Sequence, residues 1–267
     1  MTADHCAAAA RRWATGAELV YRPIAADLVA MSPHPLADRT VLDAGAGTGA
    51  VSRALAAQHA QPIAIDRSWG MLAWNAAARP PSAVADIRAL PLADDSVDDA
   101  VATFVLNHLT DPGAGLAELA RVTRPGGAVL ATVFASTSSH PARHRIDAVA
   151  REAGWQVPRW YTTIKATAVP IMGSAPAAAA AARAAGLTGI TSQQRPSDVA
   201  VTEPEQLVSY RLGNPIFADW LDRIGPARAQ ALARNAAEAI RPIMQPYRPV
   251  TVFLTACTKR RHDTTQR

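Results

Sequence analysis

Cysteine is nearly absent. Cys6 and Cys257 are the only two in 267 residues, they lie far apart, and neither sits in a C-x-x-C pair. This excludes a disulfide framework and a thiolate zinc cluster, and it points to a reducing compartment. No run of about 18 apolar residues occurs, so no segment reads as membrane-spanning. The first residues, MTADHCAAAARRWATGAE, lack a charged stretch followed by an apolar core, so no secretory signal is expected and the chain reads as cytoplasmic, without membrane insertion. Aromatic residues make up only 5%. Nearly all positive charge is arginine. The net charge of +5 is scattered, and the one short basic run is KRRH at Lys259–His262. Charge that does not gather into a stripe argues against nucleic acid as a partner.

What the chain has is apolar material: 49% hydrophobic residues against 18% charged, enough for a substantial core. Its length suits one large domain or a domain with a cap. Over residues 40–135 apolar runs alternate with Ala/Leu-rich helical stretches. The runs are 41–42, 62–65, 82–85, 100–106 and 128–134. Between them, 52–59, 69–78 and 115–123 carry helical spacing, and TRPGG at 123–127 is a helix stop and turn. This alternation predicts a parallel sheet with helices on both faces. Ligands of such sheets bind beyond the carboxyl ends of the strands. After residue 135 the pattern loosens. It predicts helices over 140–153 and 174–187, a strand within 189–201, mainly helix over 203–240 and a last strand over 248–259.

The stretch RTVLDAGAGTGAVSRAL, residues 39–55, places Gly45, Gly47 and Gly49 on a strand-to-helix turn just after Asp43. Glycine admits positive φ and lets a ligand approach bare backbone, and the following helix offers free N–H groups. The spacing G-x-G-x-G is not the G-x-G-x-x-G of dinucleotide sites, which disfavours a nicotinamide oxidoreductase. A tight turn with close strand–helix packing would use the same glycines. Two acids narrow the choice. Asp66 ends the second strand, 21 residues after Gly45, where a carboxylate can accept both hydroxyls of a ribose. Asp86 ends the third strand, where it can accept from an exocyclic amine, and Ile87 offers an apolar face to a purine.

The ordered set VLDAGAGTG, AID, ADIRALPLADDSVDDAV, FVLNHLTD and ELARVTRPGGAVLATVF resembles the class I S-adenosylmethionine-dependent methyltransferases, in particular the branch of ubiquinone/menaquinone-pathway and small-metabolite enzymes. The resemblance covers roughly residues 40–135. It implies an α/β fold, a seven-stranded Rossmann-like methyltransferase sheet with helices on both faces and a helical lid, its last strand antiparallel. It implies one domain over 1–267, divided into an N-terminal helical cover (1–38), a donor-binding core (39–135), helices and a strand (136–200), the lid (201–247) and the last strand (248–259). The cofactor implied is S-adenosyl-L-methionine. Gly45, Gly47 and Gly49 would admit its methionine part, with Asp43 meeting the ammonium directly or through water. Asp66 would hold the ribose, and Asp86 and Ile87 the adenine. Tyr21, Arg67, Thr103 and Phe104 complete the expected donor contacts. Where this family often has two histidines after the fourth strand, this chain has Asn107 and His108.

A sulfonium methyl is already electrophilic, so the protein must mainly align the acceptor and exclude water, with a general base optional. His108 is the candidate catalytic residue, with a purely structural histidine as the other reading. His140 and His144 are four apart, but Pro141 places His140 outside the helix, so no metal is expected. Trp13 and Tyr21 would either close over the donor or pack on the sheet edge. The acceptor is expected to be a small, largely apolar metabolite of secondary or quinone-like biosynthesis, held by Asn107, Trp160, Tyr161, Tyr210, Phe217 and Trp220 under the lid. For each of these aromatics, packing of lid on sheet is the competing reading. Two further possibilities remain from other classes: a donor-binding, cyclase-like protein that transfers no methyl, and an RNA methyltransferase motivated by basic charge alone. The expected state is monomer or homodimer.

Overall fold

The computed structural model describes residues 10–260; Cys6, Arg261 and His262, and residues 1–9 of the expected cover, lie outside them. Over its described residues the cover is helical: α1 (Ala10–Arg12), a π-helical turn at Trp13–Ala17, then α2 (Glu18–Ala30). The core follows as β1 (Thr40–Ala44), α3 (Ala50–Ala57), β2 (Gln61–Asp66), α4 (Trp69–Ala73), β3 (Ser82–Val84), β4 (Asp99–Thr103), α5 (Pro112–Val122) and β5 (Ala128–Phe134). Three helices, α6 (Pro141–Glu152), α7 (Arg159–Met172) and α8 (Ala175–Ala184), lead to β6 (Thr188–Pro196). Three more, α9 (Pro204–Leu212), α10 (Pro215–Ile224) and α11 (Pro226–Ile240), precede β7 (Val250–Cys257).

The strands form one seven-stranded sheet in the order β3-β2-β1-β4-β5-β7-β6. β1 to β5 are parallel, and β7 runs antiparallel between β5 and β6. From β1 the chain steps outward to β3, then crosses back to β4 on the other side of β1. The crevice at this reversal, beyond the carboxyl ends of β1 and β4, is where such sheets bind ligands.

Because side chains alternate along a strand, each strand feeds both faces. Val41, Val101, Leu130 and Phe253 join the core under α2, α3, α6 and α9–α11, whereas Leu42, Ala100, Val129 and Leu254 join the core under α5 and α8. Helix starts follow local chemistry. Ser68, Asp111 and Ser174 each accept a bond from the backbone N–H three residues on, at 3.1, 3.1 and 3.3 Å. His140 stands just outside α6, ahead of Pro141.

The structure departs from the sequence-derived boundaries at identifiable residues. The strand expected over 100–106 stops at Thr103, because Phe104 takes φ +53 and turns the chain. The helix expected over 69–78 stops at Ala73, because Asn75 is left-handed at φ +54; Ala76–Ala78 is a separate 3-10 turn. α7 has no counterpart among the helices read from the sequence. Its threonines and internal Pro170 carry weak helix propensity, and packing on the turn after β4 supplies what propensity lacks. Among the described residues no helix is long and apolar enough to cross a membrane.

Candidate active site

A cavity of ≈ 380 Å³ opens at the carboxyl ends of β1 to β4. Its floor is the turn after β1, and the three glycines there answer to three different constraints. Gly45 has φ +75, and a Cβ on it would lie 2.6 Å from Val105, so this glycine is required by the chain leaving β4. Gly47 has φ +51 and faces the cavity; the nearest atom to a Cβ there would be Trp13 Nε1, at 4.0 Å. Gly49, at φ +94, starts α3 as its left-handed cap and does not line the cavity.

Asp66 ties the turn to β2. The Gly47 N–H donates to its Oδ2 and the Ser68 N–H to its Oδ1, both at 2.8 Å. Arg79 braces the same turn from below, donating to the Gly47 and Met71 carbonyls at 2.6 Å and to the Trp74 carbonyl at 3.1 Å. Nothing local marks Arg79 in the sequence, because AARPPS reads as an exposed loop.

Asp43 does not reach the cavity wall. It is fully buried behind the turn, where its Oδ2 accepts from the Ser52 N–H (2.8 Å) and hydroxyl (2.5 Å) while Oδ1 has no partner. Burial raises its pKa to about 6, against the opposing pull of the Ser52 bonds. At the other end, Asp86 and Ile87 line the cavity together. Asp86 is also held by its neighbour Arg88 through two guanidinium bonds of 3.0 and 2.7 Å, and that pairing lowers its pKa to about 2.

The N-terminal cover forms the roof. Glu18 accepts from the Thr48 hydroxyl and from Arg53 (2.6 Å), which latches α2 to the glycine turn. Trp13 and Tyr21 both line the cavity. Trp13 stacks on Tyr21 at 4.5 Å between centroids, and Tyr21 meets the edge of Phe104 at 4.7 Å. Phe104 itself is buried and left-handed, held there by its N–H bond to Thr132 O at 2.8 Å. A bulky residue in that conformation costs on the order of 1–2 kcal/mol, strain that concentrates at functional sites.

His108, on the 3-10 turn Leu106–His108, lines the cavity with Arg67, Thr103 and Phe104. Its burial, with Lys165 and Arg67 nearby, lowers its pKa to about 4, so the imidazole is neutral at physiological pH. Trp160 of α7 and Pro215 at the start of α10 close this end.

The expected acceptor contacts are only partly brought together. Trp160 is on the wall, but Asn107, Tyr161, Tyr210, Phe217 and Trp220 are not. Phe217 is fully buried, stacked on Trp155 at 4.2 Å and covered by Arg211, which pairs with Asp147. Tyr210 is buried between Tyr21 and Tyr247, and Trp220 lies in the same core. In this structure these lid aromatics pack within the core. Among the described residues no cluster of three or more His, Cys, Asp and Glu side chains is placed to hold a metal ion.

The donor set fits S-adenosylmethionine on the structure's own terms. Bare Gly47 backbone faces open space, a pinned carboxylate ends β2, and an acid beside an apolar side chain follows β3.

Known proteins resemble this chain in part. Residues 42–131 match the family model described as "Methyltransferase domain". A demethylmenaquinone methyltransferase of Mycolicibacterium paratuberculosis is 42% identical over 99 residues, 37% of this chain and 43% of that protein. Another, of Mycolicibacterium gilvum, is 40% identical over 125 residues, 46% of this chain and 53% of that protein. The likeness thus spans about half the length of these relatives. Among solved structures, the [4+2]-cyclase SpnF superimposes with TM-score 0.58 at 22% identity, covering 90% of this chain and 82% of that one. The glycine turn, the strand-end acids and these likenesses point the same way: residues 42–131 resemble a methyltransferase domain, and demethylmenaquinone methyltransferases are among the proteins similar to this stretch.

Proposed function

We propose that this chain transfers a methyl group from S-adenosylmethionine to a small acceptor with a largely apolar body, in secondary or quinone-like biosynthesis. The observation that carries the reading is the continuity of one cavity. The carboxylate-tipped donor half at Gly47, Asp66 and Asp86 runs directly into an aromatic half walled by Trp13, Tyr21, Phe104 and Trp160. Likeness to demethylmenaquinone methyltransferases supports a ring-bearing acceptor.

In this reading Gly47 receives the methionine end, Asp66 accepts from the ribose hydroxyls, Asp86 accepts from the adenine amine, and Ile87 packs on the purine. Asp43 acts on the ammonium through the turn or a bridging water. Bound there, the donor supplies an electrophilic methyl carbon. The chain's own task is alignment and dryness. Trp13 and Tyr21 exclude water from above, held down by the Glu18 latch, and Phe104 presents its ring where the two halves meet. His108 is neutral and able to accept a proton from an acidic acceptor group. Its depressed basicity suits an acceptor that is itself readily deprotonated.

Incubation with methyl-labelled donor and fractionated small-molecule extracts tests this. Label in a product of low mass supports it. Donor bound without transfer to any fraction would favour a non-methylating role of the kind the cyclase likeness raises, and transfer to RNA would overturn the small-acceptor reading.

A further inference from the structure

The indole of Trp13 is held more tightly than a roof requires. The cover widens into a π-helical turn at Trp13–Ala17, and such turns are rare and gather at functional sites. Two glycines seat it against α9. A Cβ on Gly16 would strike the Ser209 carbonyl, and one on Gly213 would lie 2.8 Å from the Arg12 carbonyl oxygen. In an unbroken α-helix Trp13 and Tyr21, eight residues apart, would stand about 12 Å apart along the axis. Instead their rings stack at 4.5 Å with 14° between the planes. Turn, glycines and stack together fix where the edge of the indole lies. That edge meets the glycine turn: Nε1 is the nearest atom to a Cβ on Gly47, and both residues line the cavity. Among the described residues the indole N–H has no hydrogen-bond partner.

Resting on the methyl-transfer reading above, we infer that Trp13 recognises the amino-acid end of the donor, its indole N–H donating to the donor's carboxylate. In that reading this end lies at Gly47, and it carries an ammonium and a carboxylate. An indole N–H donates and cannot accept, so the carboxylate is the group it serves. The other side-chain donors around the turn are committed elsewhere. The Thr48 hydroxyl donates to Glu18, Arg53 to the Thr48 carbonyl and to Glu18, and Arg79 to the Gly47, Met71 and Trp74 carbonyls. Neither Arg53 nor Arg79 lines the cavity. Arg67 does, but it lies toward Asp86 and His108 and acts on both. A neutral N–H facing an ionised oxygen makes a charge-assisted bond, about twice as strong as one between neutral groups, and the roof shields it from water. Seating the cover on the glycine turn therefore also delivers the group that reads the donor.

The test compares ligands that differ only at this end: S-adenosylhomocysteine, its decarboxylated analogue S-adenosyl-3-thiopropylamine, and 5′-methylthioadenosine, which lacks the whole end. Each is titrated calorimetrically into the full chain as wild type and as Trp13→Phe, which keeps a ring against Tyr21 and loses the N–H. Wild type is expected to bind S-adenosylhomocysteine at least roughly tenfold more tightly than the decarboxylated analogue. In Trp13→Phe, S-adenosylhomocysteine should weaken about tenfold and the other two ligands less than about twofold, so the preference goes with the N–H. An undiminished preference in Trp13→Phe, or an equal loss for all three ligands, would reduce Trp13 to a roof and overturn the inference. Equal affinity of wild type for S-adenosylhomocysteine and its decarboxylated analogue would overturn it without any variant. Failure of wild type to bind either S-adenosylhomocysteine or 5′-methylthioadenosine would instead sink the methyl-transfer reading on which the inference rests.

Discussion

Gly45 and Gly47 look equivalent in sequence and are opposite in structure. Gly45→Ala drives a methyl group to 2.6 Å from Val105 at φ +75, so it should destabilise the fold by about 2–4 kcal/mol, with partial rescue by Val105→Ala. Gly47→Ala meets no close neighbour, so its cost is the strain of φ +51, about 1 kcal/mol, and its main effect should fall on donor affinity. Denaturant unfolding and donor calorimetry on both variants check the contrast; it fails if Gly47→Ala is the less stable of the two. Asp66 serves the turn and, in our reading, the ribose. Asp66→Ala should weaken donor binding by about 1.5–3 kcal/mol while circular dichroism remains native. Unchanged affinity in a folded Asp66→Ala protein would remove the ribose assignment.

Between elements, the decisive joint is the one that holds the cover over the turn. Glu18 on α2 is mostly shielded while Arg53 is nearly half exposed, so the pair itself is worth no more than about 1 kcal/mol. Its placement gives it a kinetic role, since opening the roof breaks the Glu18–Thr48 and Glu18–Arg53 contacts together. Glu18→Gln is expected to speed donor release several-fold with little loss of overall stability, measured by stopped-flow displacement. An unaltered release rate would mean that the donor leaves by another route. Removal of the Trp13 ring, which stacks on Tyr21 and roofs Gly47, should act in the same direction and more strongly.

For the whole molecule, buried Asp43 and half-buried His108 link stability to pH with opposite signs. His108 has its folded pKa lowered to about 4 from 6.5, so between those values the unfolded chain holds the extra proton; stability from this site rises with pH and is complete above 6.5. Asp43 has its folded pKa raised to about 6 from 3.8, so there the folded chain holds the proton; stability from this site falls as pH rises through that window. Unfolding free energies from pH 4 to 8 should show wild type gaining on His108→Gln as pH rises, and Asp43→Asn gaining on wild type, each by on the order of 1–3 kcal/mol. Parallel curves for all three proteins would refute both assignments.

Much of this was legible before any coordinates, for a physical reason. The alternation of buried runs and helical stretches is a local signal, and strands that pair in parallel bring their carboxyl ends to one edge. The glycines, Asp66, Asp86 and Ile87 therefore had to gather once the strand ends were read. What depended on contacts distant in sequence was hidden. Gly45 is glycine because of Val105, sixty residues on, and Arg79 reaches back 32 residues to the Gly47 carbonyl. The lid aromatics Tyr210, Phe217 and Trp220 have the composition of a ligand wall, yet they turned into the core while Trp160 reached the cavity. Helical periodicity says that a face is apolar, and only tertiary packing decides whether that face meets the sheet, another helix or a ligand.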